Sequence, residues 1–92
     1  MLYRILTEDK NRDKIEGIVG AYFDGFTVIE TTGYWKGNKE KSLIIEIEVW
    51  DTDRAEKAFA EYIIDYIANR IKYVNEQESV LIQEIKCKGR LI

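Results

Sequence analysis

Residues 34 to 41 carry the strongest chemical suggestion in this sequence: Tyr34, Trp35, Lys36, Lys39 and Lys41 set two large rings beside three ammonium groups. Such a ring can stack on a nucleobase while ammonium groups meet its phosphates, each stack contributing about 1 to 3 kcal/mol. The same residues also suit an edge hairpin whose rings cover a neighbouring surface and whose lysines discourage edge-to-edge aggregation. Both roles hold together if the neighbour is another copy of the chain and a cleft forms beside the contact. Asn11 and Arg12 precede a helix whose first N–H groups can hold an anion, and Arg90 sits in a tail able to reach that place or an adjoining chain. Surface solvation accounts for these three without a ligand.

Glu46 and Glu48 alternate along one strand face, about 7 Å apart. That spacing serves acid-base work or a hard cation such as Ca²⁺, although a solvated or inter-subunit sheet face explains the pair equally. The chain has no histidine, so Ser42 and Ser79 lack an activating imidazole, and no motif places a lysine base beside them. "GIVGAY" lies within a helical pattern rather than at a strand-to-helix turn, so it is no phosphate fingerprint. These residues point away from an enzyme, and neither a cofactor nor a metal centre is expected. Cys87 is the only cysteine, which excludes an internal disulfide, and its strand-like surroundings predict a buried, inert thiol.

Fourteen basic and seventeen acidic residues give a net charge of −3, a field unsuited to duplex nucleic acid that still permits a local basic patch and a small anion. No apolar run approaches the ~20 residues that span a bilayer. The N-terminus also lacks the basic-then-apolar order of a signal peptide, so no membrane association and a cytoplasmic location are expected. With 46% hydrophobic and 34% charged residues and no proline in 92, the composition predicts one globular domain over 1–92.

The elements that must position the candidate residues follow from periodicity. "LYRILT" alternates as a first strand. Asn11 or Asp13 can cap the next element, Asp13 with Glu16 as a box, and Ile15, Ile18, Val19, Tyr22 and Phe23 make one helical stripe ending at Gly25. Gly17 and Gly20 weaken that helix by roughly 1 kcal/mol each unless they permit close packing on a sheet. Phe26 onward forms a second strand, Gly37 and Asn38 supply a reversal needing positive φ, and Leu43 to Trp50 return as a third. Leu43, Ile45, Ile47 and Val49 face a core. Thr52 or Asp53, the latter with Glu56, starts a long helix carrying Phe59, Ile63, Tyr66, Ile67, Arg70, Ile71 and Val74, with Tyr62 and Tyr73 as core or interface residues. "VLIQEIKC", residues 80 to 87, closes as a fourth strand.

That order predicts an α+β, ferredoxin-like βαββαβ fold, a four-stranded antiparallel sheet with two helices on one face. Right-handed crossovers place the first and third strands centrally and the second and fourth at the edges. The uncovered face would show Ile44, Trp50, Val80 and Ile82 amid Glu46, Glu48 and Glu84. So much apolar surface predicts a homo-oligomer, since burial stabilises by roughly 25 cal/mol per Å².

"GYWKGNKEKSLIIEIEV" resembles the hairpin of the CutA divalent-ion tolerance proteins, and "GFTVIETTGYWKG" resembles the second strand of the related PII signalling proteins. The resemblance implies a trimer whose sheets pack around a three-fold axis and whose inter-subunit clefts bind small anions, adenine nucleotides in the PII case. This chain departs in having only a short turn where PII has its long loop, and in lacking any histidine for a soft metal. Short ferredoxin-like proteins of bacteriophages share the same look. The expected function is a non-catalytic homo-oligomer binding a nucleotide or cyclic nucleotide between chains, which in a phage would sequester a defence signal. The alternative is a protein-interaction or structural subunit using the sheet face and hairpin.

Overall fold

Alternation of buried and half-buried residues along Leu2–Glu8 makes this first strand, β1, the spine of the molecule. Tyr3, Ile5 and Thr7 point to the core, while Leu2, Arg4, Leu6 and Glu8 lie on the other face. The structure, a computed structural model, describes residues 1–50, the backbone of 54–57, and 58–92 in full. The helix starts read at Thr52 and Asp53, with the Asp53–Glu56 pair, fall outside the described residues or side chains. After β1 come α1 (Arg12–Gly20), β2 (Thr27–Trp35), β3 (Asn38–Glu48), α2 (Arg54–Asn75) and β4 (Leu81–Ile85). The sheet order is β2-β3-β1-β4 and every neighbouring pair is antiparallel, which is the ferredoxin-like α+β arrangement.

The core lies between one sheet face and the helices. Ile5 stands opposite Ile45 on one side and Ile82 on the other, and Leu43 and Ile47 extend this layer. Ile15 and Val19 of α1 and Ala60, Ile64, Ile67 and Ile71 of α2 close over it. Each buried aliphatic side chain of this kind contributes about 1.5 to 3 kcal/mol.

Several expectations change in the folded chain. Ala60, Ile64, Ile67, Ala68 and Ile71 are the buried hydrophobic residues among the described side chains of α2, while Phe59, Tyr62, Tyr66 and Tyr73 are exposed rather than core. These four rings fall within about 60° of one another around the helix, on the side away from the sheet. In α1 the helix ends at Gly20 instead of running to Gly25. No heavy atom lies within 4 Å of a Cβ added at Gly17, and Gly20 would meet only Phe26 at 3.8 Å, so neither glycine serves a close approach to the sheet. The hairpin reverses through Lys36 (φ 50) and Gly37 (φ 80), one position earlier than read, because two successive left-handed residues match the twist of the arms.

Ile82 of β4 and Val80 just before it pack against the core, and Leu81 and Ile85 occupy the open face instead. A slip of one residue exchanges the faces of a strand, and the Ile82–Ile5 pairing decides which is buried. This strand stops at Ile85 because its partner β1 ends at Leu2. Cys87 therefore lies beyond the sheet and is exposed, not buried.

A polar strap ties α2 to β1. Asn75, only 2% exposed, shares its Nδ2 hydrogens among Thr7 Oγ1 at 3.2 Å, the Glu8 carbonyl at 3.2 Å and Gln77 Oε1 at 2.9 Å. Asn11 sits at the helix N-cap position in the left-handed conformation, yet its side chain makes no cap bond. Its amide donates instead to Asn75 Oδ1 at 3.2 Å and the Val74 carbonyl at 3.3 Å.

Candidate functional site

The β2–β3 pair outruns the rest of the sheet. β1 pairs with β3 only as far as Ser42, with one further backbone bond from the Asp9 N–H to the Lys41 carbonyl at 3.0 Å. Residues 32–41 therefore project as a two-stranded arm. Along it the pleat separates the two rings, because adjacent residues in a strand point to opposite faces. Tyr34 stands opposite Lys39 and Thr32 opposite Lys41, so Tyr34, Lys39 and Lys41 share one face. Trp35 stands opposite Asn38 and lies on the other face, the side continuous with the open sheet. Lys36 Nζ lies 5.8 Å from the centre of the Trp35 ring, within cation–π range. The five hairpin residues thus form two surfaces rather than one.

These surfaces differ in charge. Lys39 and Lys41 enter no ion pair among the described residues, and Tyr34 is 71% exposed beside them. On the Trp35 side, a depression of about 650 Å³ opens between the arm, the apolar residues Leu6, Ile44 and Leu81, and the segment after α2. Glu8, Glu40, Glu76 and Glu78 border it against a single cation, Lys36. Lys10 bridges the Glu8 carboxylate at 2.9 Å, and this hydrogen bond to Glu8 chiefly raises the Lys10 pKa above its ordinary value. The depression suits a cationic visitor better than an anionic one. Its acidic rim was not part of the sequence reading, because those glutamates come from separate segments that only the sheet register brings together.

The Asn11–Arg12 pair is already engaged. Asn11 belongs to the strap, and the Arg12 guanidinium bonds to Glu30 and, at 3.1 Å, to Glu16. These carboxylates, Glu30 first, hold the Arg12 pKa above its ordinary value. Arg90 is not beside them. A Cβ on its neighbour Gly89 would lie 2.1 Å from Glu48 Oε1, which sets the tail at the Leu2 end of β1, whereas Arg12 follows the Glu8 end. Six strand steps separate those ends, about 20 Å. Glu46 is bridged by Arg4 at 3.2 Å on the open face. Among the described residues no group of three or more His, Cys, Asp or Glu side chains is placed to hold a metal ion.

The open face has a second feature of its own. Ile29 stands opposite Ile44, Ile44 opposite Leu6, and Leu6 opposite Leu81, so one aliphatic residue from every strand joins a continuous row. Ile85 of β4 adds exposed apolar surface in the same sheet, and Trp50, just past the end of β3, is exposed as well. Among the described residues no helix is long and apolar enough to cross a membrane. No protein-family model and no curated protein matches this sequence.

Proposed function

We propose that the chain is a non-catalytic subunit that assembles with further copies of itself through the open sheet face and the projecting arm. The supporting observation is the Ile29–Ile44–Leu6–Leu81 row, which crosses the whole sheet on the side the helices leave bare. Burial of this row stabilises an assembly by roughly 25 cal/mol per Å². A second copy fits it by charge as well. The same chain carries an acid-rimmed depression on that face and, on the far side of its arm, two lysines with no ion pair among the described residues, so one copy offers what the next requires. A three-fold ring is the form suggested by the PII and CutA resemblance.

A ligand reading has its own support in the Tyr34–Lys39–Lys41 face, where an exposed ring and two ammonium groups point the same way. In clefts between copies this face suits a small anion with a planar ring, a nucleotide or cyclic nucleotide. Native mass spectrometry of the freshly purified chain tests both readings together. An oligomer supports assembly, and a monodisperse monomer at micromolar concentration overturns it. Retained mass that vanishes in Tyr34→Ala supports the ligand, and no retained mass together with no thermal shift across a nucleotide panel overturns it.

A further inference from the structure

The cations that most need a partner lie on the other side of the molecule. Arg4, Lys10 and Arg12 all meet carboxylates, but Lys14, Arg70 and Lys72 enter no ion pair among the described residues. Lys14 and Val74 line both of two adjoining concavities: one of about 380 Å³ between α1 and α2, with Arg70, and one of about 710 Å³ around the carbonyl end of α2, with Lys72. Glu76 is the one carboxylate lining either, so a chain of net charge −3 presents here a surface with three positive groups against one negative. Tyrosine rings stand between the charges. Tyr22 and Tyr66 meet edge to face, centres 5.8 Å apart at 79°, and Tyr73, 79% exposed, borders the larger concavity.

We propose that the Lys14–Arg70–Lys72 groove, with Tyr66 and Tyr73, is a binding site for a small phosphorylated molecule bearing a planar ring. It extends the small-anion reading to a site complete within one chain. The charges decide the size of the ligand: three cations match one or two phosphates, while a long polyanion would also meet the overall negative field. Geometry orients it. The carbonyl end of α2 and Glu76 repel an anion beside Lys72 and Tyr73, so the phosphates lie at Lys14 and Arg70, further back along α2. The ring then lies against Tyr66 or Tyr73, both exposed at the concavities. So open a groove predicts binding that weakens steeply as salt rises.

Amide chemical-shift mapping on the full chain, with ATP, inorganic triphosphate and adenosine as separate probes, tests this. ATP is expected to shift amides of residues 14–22 and 66–74. Its affinity should fall roughly tenfold or more in Lys14→Ala/Arg70→Ala, the loss expected for charge-assisted contacts. Lys39→Ala/Lys41→Ala should leave these shifts unchanged, which separates this groove from the arm. Tyr66→Ala should reduce ATP affinity while leaving triphosphate affinity unaltered. All five are surface side chains, and circular dichroism checks that each variant folds. Shifts confined to residues 32–41, no shift with any probe at millimolar concentration, or equal affinity for ATP and triphosphate would each overturn the proposal. None depends on whether the chain assembles, since dilution to monomer leaves the groove intact.

Discussion

Asn75 Nδ2 donates to the Thr7 hydroxyl at 3.2 Å across 68 residues of chain, joining the last turn of α2 to the final core-facing residue of β1. This contact sets where the long helix ends and therefore where the segment bordering the open-face depression begins. Asn75→Ala removes a buried donor from three oxygen acceptors and strips Asn11 of a partner. A loss of about 2 to 3 kcal/mol is expected in urea unfolding.

Two glycine substitutions should move stability in opposite directions. Gly17→Ala adds a methyl group into open space on a helix and should stabilise by up to about 1 kcal/mol. Gly37→Ala forces a side chain onto φ 80 and should destabilise by roughly 1 kcal/mol, with Gly37→Asn less costly. Thermal melts of the three variants beside the parent chain check both signs.

Ile44→Glu places a charge in the middle of the aliphatic row, between Ile29 and Leu6. Sedimentation should show smaller particles for this variant, with the helical circular dichroism unchanged. A parent chain and variant that sediment alike would remove the row from any role in assembly.

The Tyr22 phenol is pushed above its usual value of 10.0, first by dehydration at its place beside α2 and then by Tyr66. A folded-state pKa raised above the unfolded one means the folded chain keeps its proton longer. Stability is therefore unaffected below pH 10.0 and declines as pH climbs from there towards the folded value. Tyr22→Phe should flatten that decline in alkaline denaturation, and tyrosinate absorbance should lose a component that titrates above pH 10.0.

Much of the architecture was legible because short-range patterns carry it. Alternation in "LYRILT" and "LIIEIEV" marks two central strands whatever surrounds them, since the period of a strand does not depend on its partners. Helix faces and edge strands were less legible. Aromatic residues at helical spacing in α2 look like a core stripe, yet the smaller Ala60, Ile64, Ala68 and Ile71 pack on the sheet and leave the rings outside. "VLIQEI" offers apolar residues at both parities, so only pairing with Ile5 selects the buried set.

The candidate site shows the same division. Which residues could do chemistry was readable from type alone: rings and lysines at 34–41, asparagine and arginine at 11–12, a carboxylate pair at 46 and 48. Their grouping was not, because adjacency in a strand means opposition in space, and Tyr34 and Trp35 part company on the pleat.

The amino-acid order by itself determined the element sequence, the βαββαβ class and the existence of the hairpin between the second and third strands, since these rest on local periodicity and turn chemistry. Tertiary structure alone decided which charges meet. Asn11 and Arg12 were drawn into contacts with Asn75, Glu16 and Glu30, four glutamates gathered around one depression, and Lys14, Arg70 and Lys72 came to line adjoining concavities with Glu76. The reason is physical: electrostatic partnership depends on distance through space, and sheet register and helix packing set that distance between residues far apart in the chain.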